Sequence, residues 1–167
     1  AHHQAMRPNR TIGLALSVAF ICLLSEAAMA SHYRLPAGGL ATKDETRALA
    51  SQKISTTKQL LKSGAKAKAR RALAKSTGIS AQRLLELVSM CDLLRVDGVG
   101  PSIARLLTVS GVADLSVLRR QGAGPLLGRM RTANAKHGIM EVLPSEQTLA
   151  AWIKSASSLP RLLEGKR

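Results

Sequence analysis

Short leucine- and alanine-rich stretches recur along this chain, and a glycine cuts each one off. Leu61-Lys62-Ser63-Gly64-Ala65, Leu73-Ala74-Lys75-Ser76-Thr77-Gly78-Ile79 and Leu107-Thr108-Val109-Ser110-Gly111-Val112 share one plan. A helical run stops at Gly, and an apolar residue turns the chain into the next run. Leu and Ala favour helix, and glycine tolerates the left-handed position that follows one. Generic helix-turn-helix packing accounts for the pattern without a duplication. Sheet proteins lean on aromatic and β-branched residues. Here aromatics are 2%, one each of Phe, Trp and Tyr, and no segment alternates as a strand does. The expectation is an all-α chain built as an array of short helices.

The apolar spacing places those helices. They begin near Asp44; Leu60 and Leu61 close the first run at Gly64, and Ala69, Ala72 and Leu73 face inward in the next, up to Gly78. Leu84, Leu85, Leu87 and Val88 mark another, and Ile103, Leu106 and Leu107 one that stops at Gly111. Leu115 with Leu118, then Leu126, Leu127 and Met130, mark two more. Leu149, Trp152, Ile153 and Ala156 fall at i, i+3, i+4 and i+7 of a last helix. Ser145 is its expected N-cap and Pro160 its limit, as Ser55 and Ser80 are expected N-caps earlier in the chain.

Ahead of this array lies an export pattern. Arg7 and Arg10 precede the 13-residue apolar run Ile12 to Leu24, which is followed by Ala28-Met29-Ala30. A basic start, a short apolar run and an A-x-A site describe a cleaved signal peptide; a bilayer span needs about 20 residues. The expected organisation is a signal peptide over 1–30 (with 1–5 an upstream extension), a flexible leader over 31–43, a helical domain over 44–160 and a basic tail over 161–167. The destination is periplasmic or extracellular. The chain carries 25 Lys+Arg against 10 Asp+Glu, a net charge of +15. The first 30 residues hold only Arg7, Arg10 and Glu26 of these, so the exported part keeps the charge. It retains one thiol, Cys91, so no internal disulfide is expected. Cys91 reads as a small core residue.

The sharpest motif is Val96-Asp97-Gly98-Val99-Gly100-Pro101-Ser102-Ile103-Ala104. Glycines flank one aliphatic residue that can plug a core, and they let a ligand approach the main chain. Pro101 suits the first turn of a helix. Ala104 allows close packing. The N–H groups of Gly100, Ser102 and Ile103 would then face outward at a helix N-terminus, where anions bind.

This nonapeptide resembles the hairpin of helix-hairpin-helix DNA-binding modules. The resemblance implies that Gly98, Val99, Gly100 and Ser102 form a turn gripping a DNA phosphate through backbone amides, with Arg105 assisting. Asp97 departs from that picture by adding a negative charge at the turn. Over about 45–160 the chain resembles an uncharacterised bacterial family of unknown function built around such hairpins. The residues that carry this are Ile54-Ser55-Thr56-Thr57, Leu60 to Ala65, Thr77-Gly78-Ile79-Ser80, Leu84-Leu85, Asp92 to Val96, Pro144-Ser145 and Trp152-Ile153. This wider likeness implies an all-helical fold with tandem helix-hairpin-helix-like units and supplies no activity.

Between Lys53 and Arg83 lie nine basic residues and no acidic one: Lys53, Lys58, Lys62, Lys66, Lys68, Arg70, Arg71, Lys75 and Arg83. Lys58 with Lys62, and Lys66 with Arg70, stand four apart, where like charges repel on a helix. A face that only needed solvation would interleave Glu, so this run points to an anionic partner. Single-stranded nucleic acid is a poor fit, because its binders stack bases on aromatic rings. Arg129, Arg131, Lys136 and His137 read as surface. No metal-ligand spacing, paired carboxylates or nucleophilic arrangement appears, so neither an enzyme nor a cofactor is expected. The functional expectation is sequence-independent binding of the nucleic-acid backbone, duplex DNA foremost. The Gly98–Ser102 turn, Arg105 and the cations Lys66, Lys68, Arg70, Arg71 and Lys75 would carry it. A general polyanion binder of the envelope and a protein-interaction scaffold are the alternatives.

Overall fold

Side-chain caps decide where most helices begin. Thr42 accepts from the Glu45 amide while the Glu45 carboxylate accepts from the Thr42 amide, and Thr56 and Gln59 repeat this reciprocal pairing. Ser80, Asp114 and Ser145 each accept from the amide three residues on. Each such cap stabilises a helix by about 1 kcal/mol. The computed structural model describes residues 32–164 and shows eight α-helices there. They are α1 (Lys43–Ser51), α2 (Thr57–Gly64), α3 (Ala67–Thr77), α4 (Ala81–Leu93), α5 (Pro101–Val109), α6 (Leu115–Leu118), α7 (Ala123–His137) and α8 (Glu146–Ser158). Among the described residues no strand forms, and the single antiparallel bridge joins Arg34 to Thr56. The all-α expectation is met. The expected signal peptide over 1–30 lies outside the described residues. None of the described helices is long and apolar enough to cross a membrane.

The glycines end helices for two different reasons. Gly78 and Gly138 close α3 and α7 in the left-handed conformation, and Gly111 follows α5 at φ 89°. Gly64 does not do this. It is the buried last residue of α2, and a Cβ there would stand 2.4 Å from Val88 Cγ2. It is glycine so that α2 can press on α4. The N-cap of α2 is Thr56, one residue beyond the expected Ser55, whose amide instead donates to Gln59 Oε1.

Helix α4 is the hub, packing on α2, α3, α5 and α6. From Leu87 to Leu93 every residue of it is buried, so its apolar positions run on all sides rather than along one stripe. Ser89 and Asp92 go inside with them. The Asp92 carboxylate accepts from Arg95 Nη1 at 2.7 Å, and Arg95 Nη2 reaches the Pro160 carbonyl at 2.9 Å. Burial, partly offset by Arg95, pushes the Asp92 pKa up. Burial also pushes the Cys91 thiol up to about 12, an inert core residue.

Both ends of the described chain make contacts with the helices, and the first of them corrects an expectation. Residues 32–42 are not a flexible leader. Leu35, Leu40 and Ala41 are buried, Leu35 N–H donates to the Ser55 carbonyl, and a 3-10 turn over Ala37–Gly39 lies on α5. Of the expected basic tail over 161–167, the described residues Arg161, Leu162 and Glu164 are exposed. Leu163 is buried, and Glu164 lies at the α2–α3 turn, its N–H donating to the Ala65 carbonyl at 2.9 Å.

Candidate nucleic-acid interface

The turn from α4 into α5 occupies residues 94–100. Val99 N–H donates to the Val96 carbonyl, and the Val99 side chain, 1% exposed, plugs the gap between the two helices. Asp97 and Gly98 are exposed; Gly100 and Ser102 are half-buried. The turn therefore offers its backbone to solvent while its one aliphatic residue anchors it. The two glycines are not equivalent. Gly98 has φ 81°, in the left-handed region that other residues rarely adopt. Gly100, the N-cap of α5, is extended at φ −88° and ψ 175°, which any residue can adopt. Its value lies in its bare surface, with Tyr33 Oη 3.8 Å from where a Cβ would stand. No side chain caps α5, and Pro101 opens it. The early amides of α5 thus have no side-chain acceptor, and they lie at the positive end of the helix dipole.

Three neighbours frame this end of α5. Gly38 of the 3-10 turn sits against Pro101 so closely that a Cβ would lie 2.4 Å from Pro101 Cβ. Arg105 Nη1 donates to the Gly38 carbonyl at 3.2 Å. The expected assistant is thereby tied to the N-terminal segment, its charge held beside the turn. Trp152 of α8 supplies the third neighbour. A Cβ on Gly98 would stand 3.0 Å from its Nε1 and 3.8 Å from its Cε2, so the N–H edge of the ring faces the turn. Sequence reasoning assigned Trp152 to the core face of a helix and Tyr33 to a leader. Nothing in the local pattern brings residue 152 beside residue 98; only the packing of α6 and α7 against α8 does so.

The basic run sorts into two groups. Lys53, Lys58, Lys62, Lys66, Lys68, Arg71 and Lys75 are exposed and make no ion pair within the described residues. On α3, Lys68, Arg71 and Lys75 are spaced i, i+3 and i+7, opposite the buried Leu73. Arg83 belongs to the fold instead. Its Nε donates to Glu45 Oε1 at 2.7 Å and its Nη2 to Glu45 Oε2 at 3.2 Å, with further bonds to the Leu40 carbonyl and Glu86. Hydrogen bonding from Arg83 is the largest influence holding the Glu45 carboxyl below its ordinary range.

Arg70 is a correction. It was expected to meet phosphate, yet it is 4% exposed. Its Nη1 donates to the Gly64 and Ala65 carbonyls at 2.8 and 2.9 Å, and its Nη2 to the Glu164 carbonyl at 2.7 Å. It caps the C-terminus of α2. Helix α3 packs on α1, α2 and α4 and not on α5. The cation stripe and the glycine turn therefore sit on elements separated by the hub helix. The second basic stretch is exposed, as expected, although Arg129 is engaged with the Ser110 carbonyl at 3.1 Å and with Gln121. Among the described residues no three His, Cys, Asp or Glu side chains gather as a metal site.

The chain belongs to the family described as a domain of unknown function, DUF4332, whose model matches residues 40–159. The match begins at the buried Leu40 and ends after α8, so it contains the α4–α5 turn, the cation stripe and Trp152. It leaves out Tyr33 and the Leu163–Glu164 segment. No curated protein and no solved structure matches the chain.

Proposed function

We propose that this protein binds the phosphodiester backbone of nucleic acid, duplex DNA foremost, without reading sequence and without catalysis, and that it does so after export. In this reading α4, the 94–100 turn and α5 form a helix-hairpin-helix unit. The observation that carries it is the exposed turn ahead of a helix N-terminus that no side chain caps. Backbone amides there fix one phosphate, Arg105 adds charge beside it, and Lys66, Lys68, Arg71 and Lys75 neutralise others. Arg70 takes no part. The basic signal-like N-terminus supports the export element of the proposal, and the resemblance of exported hairpin modules to DNA-uptake receptors offers a role in DNA capture by analogy alone.

A salt titration of the mature chain against duplex DNA, with heparin as competitor, tests the proposal. Engagement of about four phosphates gives a slope of log K against log salt of roughly −3.6. Absence of duplex binding at about 150 mM salt sinks it. A second reading, general polyanion binding, is favoured by the separation of α3 from α5. In that case heparin competes fully and the turn glycines are dispensable.

A further inference from the structure

Trp152 is almost wholly buried. The residue is 7% exposed, and its indole N–H makes no hydrogen bond to any described residue. No fully buried side-chain nitrogen or oxygen lacks a partner among the described residues, so Nε1 reaches solvent. It does so beside Gly98, whose missing side chain leaves the opening: a Cβ there would press on Nε1 at 3.0 Å. An indole N–H is a donor and never an acceptor, and Trp is ordinarily placed where that donor finds a partner. Here the donor is unpaired and lies at the mouth of a turn whose following helix also leaves its early amides without a side-chain acceptor. The two observations are independent, because one concerns α8 and the other α5.

We infer that Trp152 is a ligand-binding residue of this turn, donating its indole N–H to a phosphate oxygen held at the N-terminus of α5; the inference rests on the phosphate-binding reading above. The site then combines neutral donors, backbone amides and an indole, with Arg105 as the nearby charge. Gly98 is demanded twice, once by its φ of 81° and once to keep the indole edge open.

The chain has one Trp, so its emission is a local probe. A short duplex DNA is titrated into the full mature chain while Trp emission is followed, and affinity for a labelled copy of the same duplex is measured by anisotropy for wild type and Trp152→Phe. The expected results are a saturable emission change on the same isotherm as the anisotropy and an affinity loss of about three- to tenfold in the variant, the range for one lost hydrogen bond. The salt slope stays unchanged, since a neutral donor releases no counterion. Thermal melts report whether Trp152→Phe folds. If it does not, replacement of Trp152 by benzothienylalanine, which keeps the ring shape and lacks the N–H, supplies the comparison. Wild-type affinity in a folded variant or in the analogue overturns the inference and leaves phosphate binding standing. A wild-type chain that does not bind the duplex overturns both.

Discussion

At the α2–α3 turn, the last carbonyls of α2 and the first amide of α3 find partners inside the molecule. The Arg70 guanidinium takes the Gly64 and Ala65 carbonyls, and the Glu164 carboxylate accepts the first amide of α3, from Ala67, at 3.0 Å. At the α4–α5 turn the early amides of α5 face no capping side chain, and the indole N–H beside Gly98 has no partner among the described residues. Both turns carry glycine. In the first, Gly64 is buried against Val88; in the second, Gly98 is exposed. The difference separates a joint from a site. A turn whose donors and acceptors are satisfied internally has nothing left to offer, whatever its net charge. An open turn keeps hydrogen-bonding capacity for something else, because backbone groups are nearly always paired in the end.

That contrast can be tested hardest at Arg70. Arg70→Ala leaves buried carbonyls without their donor, and stability should fall by about 2–4 kcal/mol, read as a shift in the urea midpoint. Duplex affinity per folded molecule should not change. A loss of affinity without a loss of stability would return Arg70 to the binding surface. Gly98→Ala comes next. The left-handed φ and the 3.0 Å approach of Trp152 Nε1 together should cost about 1–2 kcal/mol, with weakened duplex binding. Its control, Gly100→Ala, sits at an ordinary φ, where a Cβ would make only an ordinary contact with Tyr33 Oη. It should melt within about 0.5 kcal/mol of wild type while still losing affinity, because its methyl group stands where a phosphate would approach. Equal binding by Gly100→Ala and wild type would make the α4–α5 turn another joint.

The smallest effect concerns pH. The Glu45 pKa is held below its ordinary 4.5, chiefly by the hydrogen bond from Arg83. Its contribution to stability is therefore complete at neutral pH and is withdrawn as the pH falls through and below 4.5. Glu45→Gln should flatten the loss of stability between about pH 6 and pH 3. Asp92 opposes this, since burial raises its pKa and protonation favours the fold. A wild-type profile no steeper than that of Glu45→Gln would show that the Arg83 pair contributes nothing measurable, as many partly exposed pairs do.

The helices were legible from local chemistry. Ser80 and Ser145 are N-caps where the pattern put them, and Gly78 and Gly111 are left-handed. Those features depend on neighbours within one turn of chain. Gly64 looked the same in sequence, yet its reason lies on another helix, at Val88. Arg70 was read as a surface cation because spacing along α3 says nothing about a carbonyl that arrives from residue 164. The candidate site divides in the same way. The glycines and the uncapped start of α5 are local and were found. Trp152, Tyr33 and the tie between Arg105 and Gly38 depend on segments 50 or more residues away, and no periodicity reports them.

The clasp at Glu164 has a bearing on how the molecule is made. Its carbonyl receives Arg70 from a helix 94 positions earlier, and its carboxylate is the partner that Ala67 lacks until then. During synthesis α2 and α3 can coil long before residue 164 emerges from the ribosome, but the start of α3 stays open to water for all of that time. The α2–α3 hairpin is thus completed from residue 164, beyond the last helix. A chain stopped short at 159 would hold all eight helices and still lack the fastening of that pair.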